Sequence, residues 1–435
     1  AYREKYLLES VLRADASAKF PADSRWGYFP SVSLGWRLTE EDFMKRLYFI
    51  DNLKLRASYG AAGNDGIGNF QYLSGYQLSA LPYILGEGPQ QGLLSKGLPN
   101  PYMTWEEVRT YNAGIDYSLL KQKIYGEMDV FYRKRSGILA NRATTVPTSF
   151  GSALPPENLN SLNDRGFEVS IGTTGQLRDL YWNISGNVSW SRAKWDHYEE
   201  PDYTDPDQRR INAKSGLWTD RQFGYLADGI FTSQDQIDHL GYDQDQKGNT
   251  TLRPGDQRLK DVNGDKIVDW KDQVEIGQGT TPHWMAGLNA DLKYKDFDCS
   301  VLFQGAMGNY TYITFMQGKN YPTYVYEERW TPENNNPNAL VPRLGGAGTN
   351  NYYTDSRYKK AAYLRLKTID LGYSIPKRIL DRIRVSQVRF YVAATNILTF
   401  DKLTKYQIDP EAPTSEGGRY YPQQKTISFG ANVSF

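Results

Sequence analysis

The chain predicts an all-β fold, a transmembrane antiparallel β-barrel, and three observations predict it. Apolar and polar residues alternate with a period of two along many segments. Most of these segments run about ten residues, longer than an ordinary soluble strand and suited to a tilted membrane strand. The connections between them alternate between short and long, the pattern of barrels with short periplasmic turns and long extracellular loops.

Twelve candidate strands lie near 6–16, 27–38, 52–61, 109–119, 124–135, 166–173, 181–193, 283–294, 297–308, 361–374, 386–399 and 424–435. The last is the clearest: Ile427, Phe429, Ala431, Val433 and Phe435 alternate with Thr426, Ser428, Gly430, Asn432 and Ser434. In 284–294, Trp284, Ala286, Leu288, Ala290, Leu292 and Tyr294 share a face, opposite Met285, Gly287, Asn289, Asp291 and Lys293. In 182–191, Trp182, Ile184, Gly186, Val188 and Trp190 share another. Successive strand side chains point to opposite faces, so each segment has one apolar and one polar side. The short connections are 39–51, 120–123, 174–180, 295–296 and 375–385. The long ones are 62–108, 136–165, 194–282, 309–360 and 400–423. The Gly-rich GAAGNDGIGNF (60–70) reads as the opening of one long loop. The charged run Asp205–Arg210 reads as solvated loop surface.

Aromatic spacing gives a length check. Trp182 and Trp190 share a face eight residues apart, roughly 20 Å along the membrane normal for a tilt of about 40°. Trp284 and Tyr294 give about 25 Å, the height of the lipid-facing band between aromatic girdles.

Composition narrows the function classes. The net charge is +1, which gives no strong pull toward nucleic acid or anionic lipid. The single cysteine, Cys299, makes no internal disulfide. The three histidines are scattered and suggest no zinc cluster. No apolar run approaches the length of a transmembrane helix. A mean hydropathy of −0.64 is compatible with a barrel, whose interior and loops are polar. No base and nucleophile pair stands out, so no enzymatic activity is expected.

Residues 261–273 read DVNGDKIVDWKDQ. Asp261, Asn263, Asp265, Asp269 and Asp272 fall at positions 1, 3, 5, 9 and 12 of a twelve-residue loop, with the carbonyl of Ile267 at position 7. That is the oxygen-ligand spacing of an EF-hand, and one Ca2+ ion is the expected ligand. Two departures stand out: Lys266 replaces the turn glycine, and Asp272 replaces the bidentate Glu. An Asx-rich turn with no metal accounts for the same composition. Tyr310, Tyr312, Tyr321, Tyr324 and Tyr326 offer rings for stacking on cargo or, residue by residue, for loop packing.

Several stretches together resemble the SusC/RagA family of TonB-dependent outer-membrane transporters. They are RWGYFPSVSLGWRLTEEDFM (25–44), NLKLRASYGAAGNDGIGNFQY (52–72), ENLNSLNDRGFEVSIG (157–172), PGDQRLKDVNGDKIVDWKDQVEIG (254–277), AAYLRLKTIDLGYSIPKRIL (361–380) and FYVAATNILTFDKLTKYQIDPE (390–411). They run in the family's order along almost the whole chain. A minor departure is Ala394-Thr395-Asn396, where the family more often has Gly-Gln-Asn.

The resemblance implies that 1–435 is the C-terminal part of a barrel of about 22 strands, with 194–282 as a large extracellular loop. It implies a plug and earlier strands supplied from outside this sequence. It implies a SusD-like surface lipoprotein as lid and co-receptor, TonB as energy coupler, and active import of a large nutrient, oligosaccharide or peptide. The physics of an open sheet agrees on completion, because unpaired strand edges find no partner in lipid. The alternative is a passive structural or adhesion barrel braced by calcium.

Overall fold

The computed structural model describes every residue except 87, 145, 314–320, 382–384, 413–420 and 422, and at 79–83 and 85 the backbone alone. Parts of the expected connections 62–108, 136–165, 309–360, 375–385 and 400–423 therefore lie outside the described residues.

Twelve strands form one antiparallel sheet in which every strand pairs with its neighbour in sequence order among the twelve. They are β1 (Tyr6–Ala16), β2 (Trp26–Arg37), β3 (Ile50–Asn64), β4 (Glu106–Leu119), β5 (Ile124–Ala140) and β6 (Glu157–Leu177). Then come β7 (Leu180–His197), β8 (Trp284–Tyr294), β9 (Phe297–Met307), β10 (Tyr363–Ser374), β11 (Gln387–Asp401) and β12 (Thr426–Ser434). β1 and β12 are the two edges of this sheet. The up-and-down meander is what alternating apolar segments on short and long tethers produce.

One face is apolar throughout. The row Ala57, Ala113, Val130, Phe167, Trp190, Trp284 and Met307 runs across seven strands in register. Leu8, Leu34, Ile171, Leu364 and Phe429 lie on the same side and are exposed in the isolated chain. Two aromatic belts bound this face. At the long-loop end Phe167 packs against Trp284 at 5.6 Å, and Trp190 lies 6.3 Å from Trp284. At the short-turn end Phe297 and Tyr373 meet at 4.8 Å. An apolar face framed by two aromatic belts is a lipid-facing wall.

The short turns are tight. Residues 178–179 and 295–296 are two-residue hairpin turns, with Arg178 and Lys295 both at φ 53°. Such turns need positive φ to match the twist of the strands.

Several strands are longer than expected. β5 continues to Ala140, β6 begins at Glu157 and β7 continues to His197, so the connection between β5 and β6 shrinks to 141–156. β3 likewise continues through the Gly-rich stretch to Asn64. The extensions carry Asn158, Asn160, Asn163 and Asp164. Above the lipid both faces of a strand are polar, so the alternation that reveals a strand stops at the membrane surface while the hydrogen-bond ladder goes on. The 62–108 connection also contains a hairpin, Tyr76–Leu85 with Gly88–Ser95.

The hydrophobic core lies outside the sheet, within the long loops. Phe231, Ile237, Leu252 and Ala347 form one buried cluster. Ile313, Tyr324, Val325, Val341, Ala361, Leu403 and Tyr406 form a second. Each cluster draws residues from more than one connection, so the described parts of the loops 198–283, 308–362 and 402–425 pack into a folded body on one end of the sheet.

Candidate functional site

The face opposite the apolar wall is polar from edge to edge. One register row reads Lys54, Asp116, Glu127, Ser170, Asn187, Gly287 and Gln304. A cavity of about 450 Å³ opens on this side, lined by Glu127, Asp129, Glu168, Ser170 and Asn187 among others. The carboxylates of Glu127 and Glu168 have no ion-pair partner among the described residues. A wall that presents hydroxyl, amide and charged groups holds water and passes polar solutes.

Arginines tie this wall across strands. Arg56 of β3 donates from Nε to Asp116 of β4 at 2.7 Å. Its two Nη atoms continue to Asp129 of β5 at 3.0 and 2.7 Å. The guanidinium passes directly over Gly114, where a Cβ would sit 2.5 Å from Asp129 Oδ1 and 2.8 Å from Arg56 Nη2. Arg389 of β11 repeats the arrangement. It crosses Gly372 of β10 to Asp298 of β9, with Nε donating at 3.0 Å, and also meets Asp370.

The outer loops are joined by a buried carboxylate. Asp256, fully shielded from solvent, accepts from Arg253 N at 2.8 Å, Ala347 N at 3.2 Å, Asn350 Nδ2 at 2.8 Å and Arg343 Nη2 at 3.1 Å. The first partner is on the 198–283 loop and the other three are on 308–362. At the base of the larger loop Asp220 accepts from Arg192 Nε at 3.0 Å and lies 2.6 Å from His283 Nε2. Burial pushes the Asp220 carboxyl up, but the Arg192 and His283 hydrogen bonds outweigh it and hold it below the usual range. None of these pairings follows a local sequence period, and sequence reasoning missed them.

The loop tyrosines divide. Tyr310 stacks on Tyr358 at 5.2 Å and Tyr312 on Tyr353 at 4.7 Å, while Tyr324 is buried in the second loop core. These three pack the loops. Tyr321 and Tyr326 stay exposed on the outer surface. The charged run at 205–210 is a helix, Pro206–Asn212, capped by Asp205. Arg210 leaves the solvent side to donate to the Lys271 carbonyl at 2.7 Å and also bonds the Gln273 carbonyl.

That contact braces the acidic loop. Asp261 accepts from Gly264 N at 2.7 Å and Lys266 N at 2.9 Å. Asn263 Oδ1 accepts from Asp265 N, and Asp265 Oδ1 from Ile267 N, both at 3.0 Å. Asp269 and Asp272 form a reciprocal cap, with Asp269 Oδ1 accepting from Lys271 N and Asp272 Oδ2 from Asp269 N, each at 2.8 Å. Asp272, 0 % exposed, also accepts from Val262 N at 2.7 Å. Burial pushes its carboxyl up despite these amides. Lys266 adopts φ 72°, the left-handed conformation that position 6 demands. Among the described residues no three His, Cys, Asp or Glu side chains are grouped as a metal cluster.

A second Asx-rich turn lies beside the first. Asp243 N donates to Lys266 O and Asp243 O accepts from Val268 N, both at 2.9 Å. Asp245 then accepts from Lys247 N, Asn249 N and Thr251 N and Oγ1. Burial opposes ionisation there, and these donors overcome it and bring the Asp245 carboxyl to about 2. The repeat of Asp243, Asp245, Gly248 and Asn249 is visible in the sequence as a signal for this turn.

The model of the family "TonB dependent receptor-like, beta-barrel" matches residues 5–397. The chain belongs to the TonB-dependent receptor β-barrel family. TonB-dependent receptor P26 of Formosa agariphila is 30% identical over 463 residues, covering 100% of this chain and 45% of that protein. TonB-dependent receptor SusC of Bacteroides thetaiotaomicron is 29% identical over 444 residues, covering 99% and 42%. The RagAB peptide importer in its open-open state shares the fold, with a TM-score of 0.75 at 20% identity, covering 100% of this chain and 46% of that one. The SusC/RagA resemblance is thereby established, and this receptor barrel is an outer-membrane protein. The chain spans somewhat under half the length of these relatives.

Proposed function

We propose that this chain is part of the barrel of a TonB-dependent importer that carries a large nutrient, an oligosaccharide or a peptide, across the outer membrane. The observation that carries the reading is the polar inner wall beneath a folded body of long outer loops, in a chain of this family. A solute-sized path needs the first, and capture before transport needs the second. The RagAB peptide importer carries a peptide cargo in its name, and the oligosaccharide class rests on the SusC/RagA resemblance alone. The same resemblance supports a SusD-like surface lipoprotein seated on the outer loops and TonB acting from the periplasm. Further strands and a plug would pair with the edges of β1 and β12 and fill the lumen, since lipid offers those edges no hydrogen bonds.

The proposal includes one Ca2+ ion held by Asp261, Asn263, Asp265, Asp269, Asp272 and the Ile267 carbonyl. The donor set is all oxygen, as calcium requires. An ionised carboxylate offers about four lone-pair sites, so the amide bonds described above leave capacity for an ion. Asp272 is buried with no cationic side chain bonded to it, and a divalent cation would offset that charge. The ion would brace the longest loop.

Uptake measured in a strain without functional TonB, paired with mass spectrometry of the gently purified complex, tests the transport reading. Loss of uptake and a co-purifying lipoprotein are expected. A barrel purified alone, with uptake unchanged, would return the passive-barrel alternative.

A further inference from the structure

We propose that residues 38–49, the connection between β2 and β3, form an amphipathic anchor lying in the periplasmic leaflet of the membrane. The proposal rests on the topology in which short connections face the periplasm, and not on the identity of the cargo.

The segment is the longest fully described connection at this end of the sheet, and it is built of successive turns. Glu41 N donates to Leu38 O, Met44 N to Glu41 O, Leu47 N to Met44 O and Ile50 N to Leu47 O. Glu41, Met44 and Ile50 are half-buried against the barrel end. Phe43 is 62 % exposed and Tyr48 94 %, with Leu47 and Phe49 also open. Phe43 and Tyr48 stand mostly clear of the protein, and Leu47 and Phe49 are partly open beside them.

Their location is fixed by Glu41. Its carboxylate accepts from Tyr6 OH at 2.7 Å and from Trp36 Nε1 at 3.1 Å, with Lys5 Nζ donating at 3.0 Å. Tyr6 and Trp36 belong to the apolar row that continues through Leu55 and Ile115. They stack at 6.4 Å, and Tyr2 stacks on Tyr6 at 6.5 Å. The connection is therefore pinned to the lipid side of the rim and continues the lipid-facing band. It does not fold back under the lumen.

Charge selects the occupant. The acidic residues are paired within the chain: Glu40 with Arg37 at 3.1 Å, Glu41 as above, and the exposed Asp42 with Lys45 at 2.6 Å. Arg46 has no ion-pair partner among the described residues and is exposed. A free guanidinium beside exposed aromatic and aliphatic side chains suits phospholipid, with its phosphate on the periplasmic side and its acyl chain toward the membrane core.

The test uses the full-length transporter, with Cys299→Ser and any other cysteine removed, reconstituted in phospholipid vesicles. Tyr48→Cys and Phe43→Cys are labelled with an environment-sensitive fluorophore. Leu12→Cys on the lipid face and Tyr102→Cys on an outer loop serve as references. Lipid-borne quenchers should quench positions 48 and 43 as strongly as position 12, with a blue-shifted emission, and aqueous iodide should not. Arg46→Glu should weaken the quenching in anionic vesicles more than in neutral ones. Quenching by iodide alone, as at position 102, would overturn the anchor and mark the segment as a surface for a water-soluble periplasmic protein. Transport lost with the lipid quenching intact would count against the proposed function and leave the anchor standing.

Discussion

Arg56 and Asp129 sit on strands that do not touch each other, and they are bonded over the bare backbone of Gly114 between them. Adding a side chain at 114 should break this pair. Gly114→Ala is expected to destabilise the barrel by roughly 1–3 kcal/mol, because the new methyl displaces a guanidinium and strands a shielded carboxylate. Urea unfolding followed by gel mobility measures it. A variant as stable as the parent would mean that Arg56 relocates freely.

Asp256 is a different kind of joint. Asp256→Ala removes a fully buried acceptor for Arg343, Asn350 and two backbone amides. Breaking a buried charged network of this sort costs about 3–5 kcal/mol. Limited proteolysis should open 198–283 and 308–362 together while the strands stay resistant. Cleavage confined to one loop would argue against a shared body.

Calcium titration by calorimetry addresses the 261–272 loop. Affinity on the order of 10⁻⁴–10⁻³ M is expected for an extracellular site of this charge. Lys266→Gly should tighten it, since relief of the left-handed backbone is worth roughly 1 kcal/mol. Asp272→Asn should abolish it. No heat at millimolar calcium would leave an Asx turn without metal.

The pH dependence of that binding has a definite sign. Burial raises the Asp272 carboxyl above its ordinary value, so on acidification protons claim it earlier than they claim an exposed aspartate. Calcium affinity should therefore fall at a higher pH than for a loop of solvated carboxylates, while the calcium-free loop is favoured by the same protonation. Titration at successively lower pH checks this, and an affinity unchanged until all aspartates titrate would contradict it.

Orientation is testable on intact cells. A cysteine at Thr250 in the long loop should react with an impermeant reagent, and one at Ile379 in a short connection should not. The opposite pattern would invert the topology.

Much of the sheet is legible in the sequence because lipid imposes a period of two on every strand it touches. Trp182, Trp190, Trp284 and Tyr294 mark the height of that layer in the sequence itself. Above the lipid the constraint vanishes, which is why the upper half of β6 and the last residues of β7 read as loop. The oxygen spacing from Asp261 to Asp272 is legible too, being local. Its closure by backbone amides, with Asp272 turned fully inward, is not, because that depends on Val262 and Asp269 meeting in space. The joint at Asp256 is least visible of all: its partners Arg343 and Asn350 lie 87 and 94 residues away, and nothing periodic links them.

Alternation alone cannot tell a strand from the same strand slid by two residues, since both place apolar groups outside and polar groups within. The glycines beneath Arg56 and Arg389 can. A two-residue slip of β4 would bring Asn112 or Asp116 under the guanidinium in place of Gly114, and one of β10 would replace Gly372 with Asp370 or Ser374. Each places a side chain where only a hydrogen fits. These two crossings therefore work as keys that admit a single alignment while the sheet is being inserted, when many near-equivalent pairings compete.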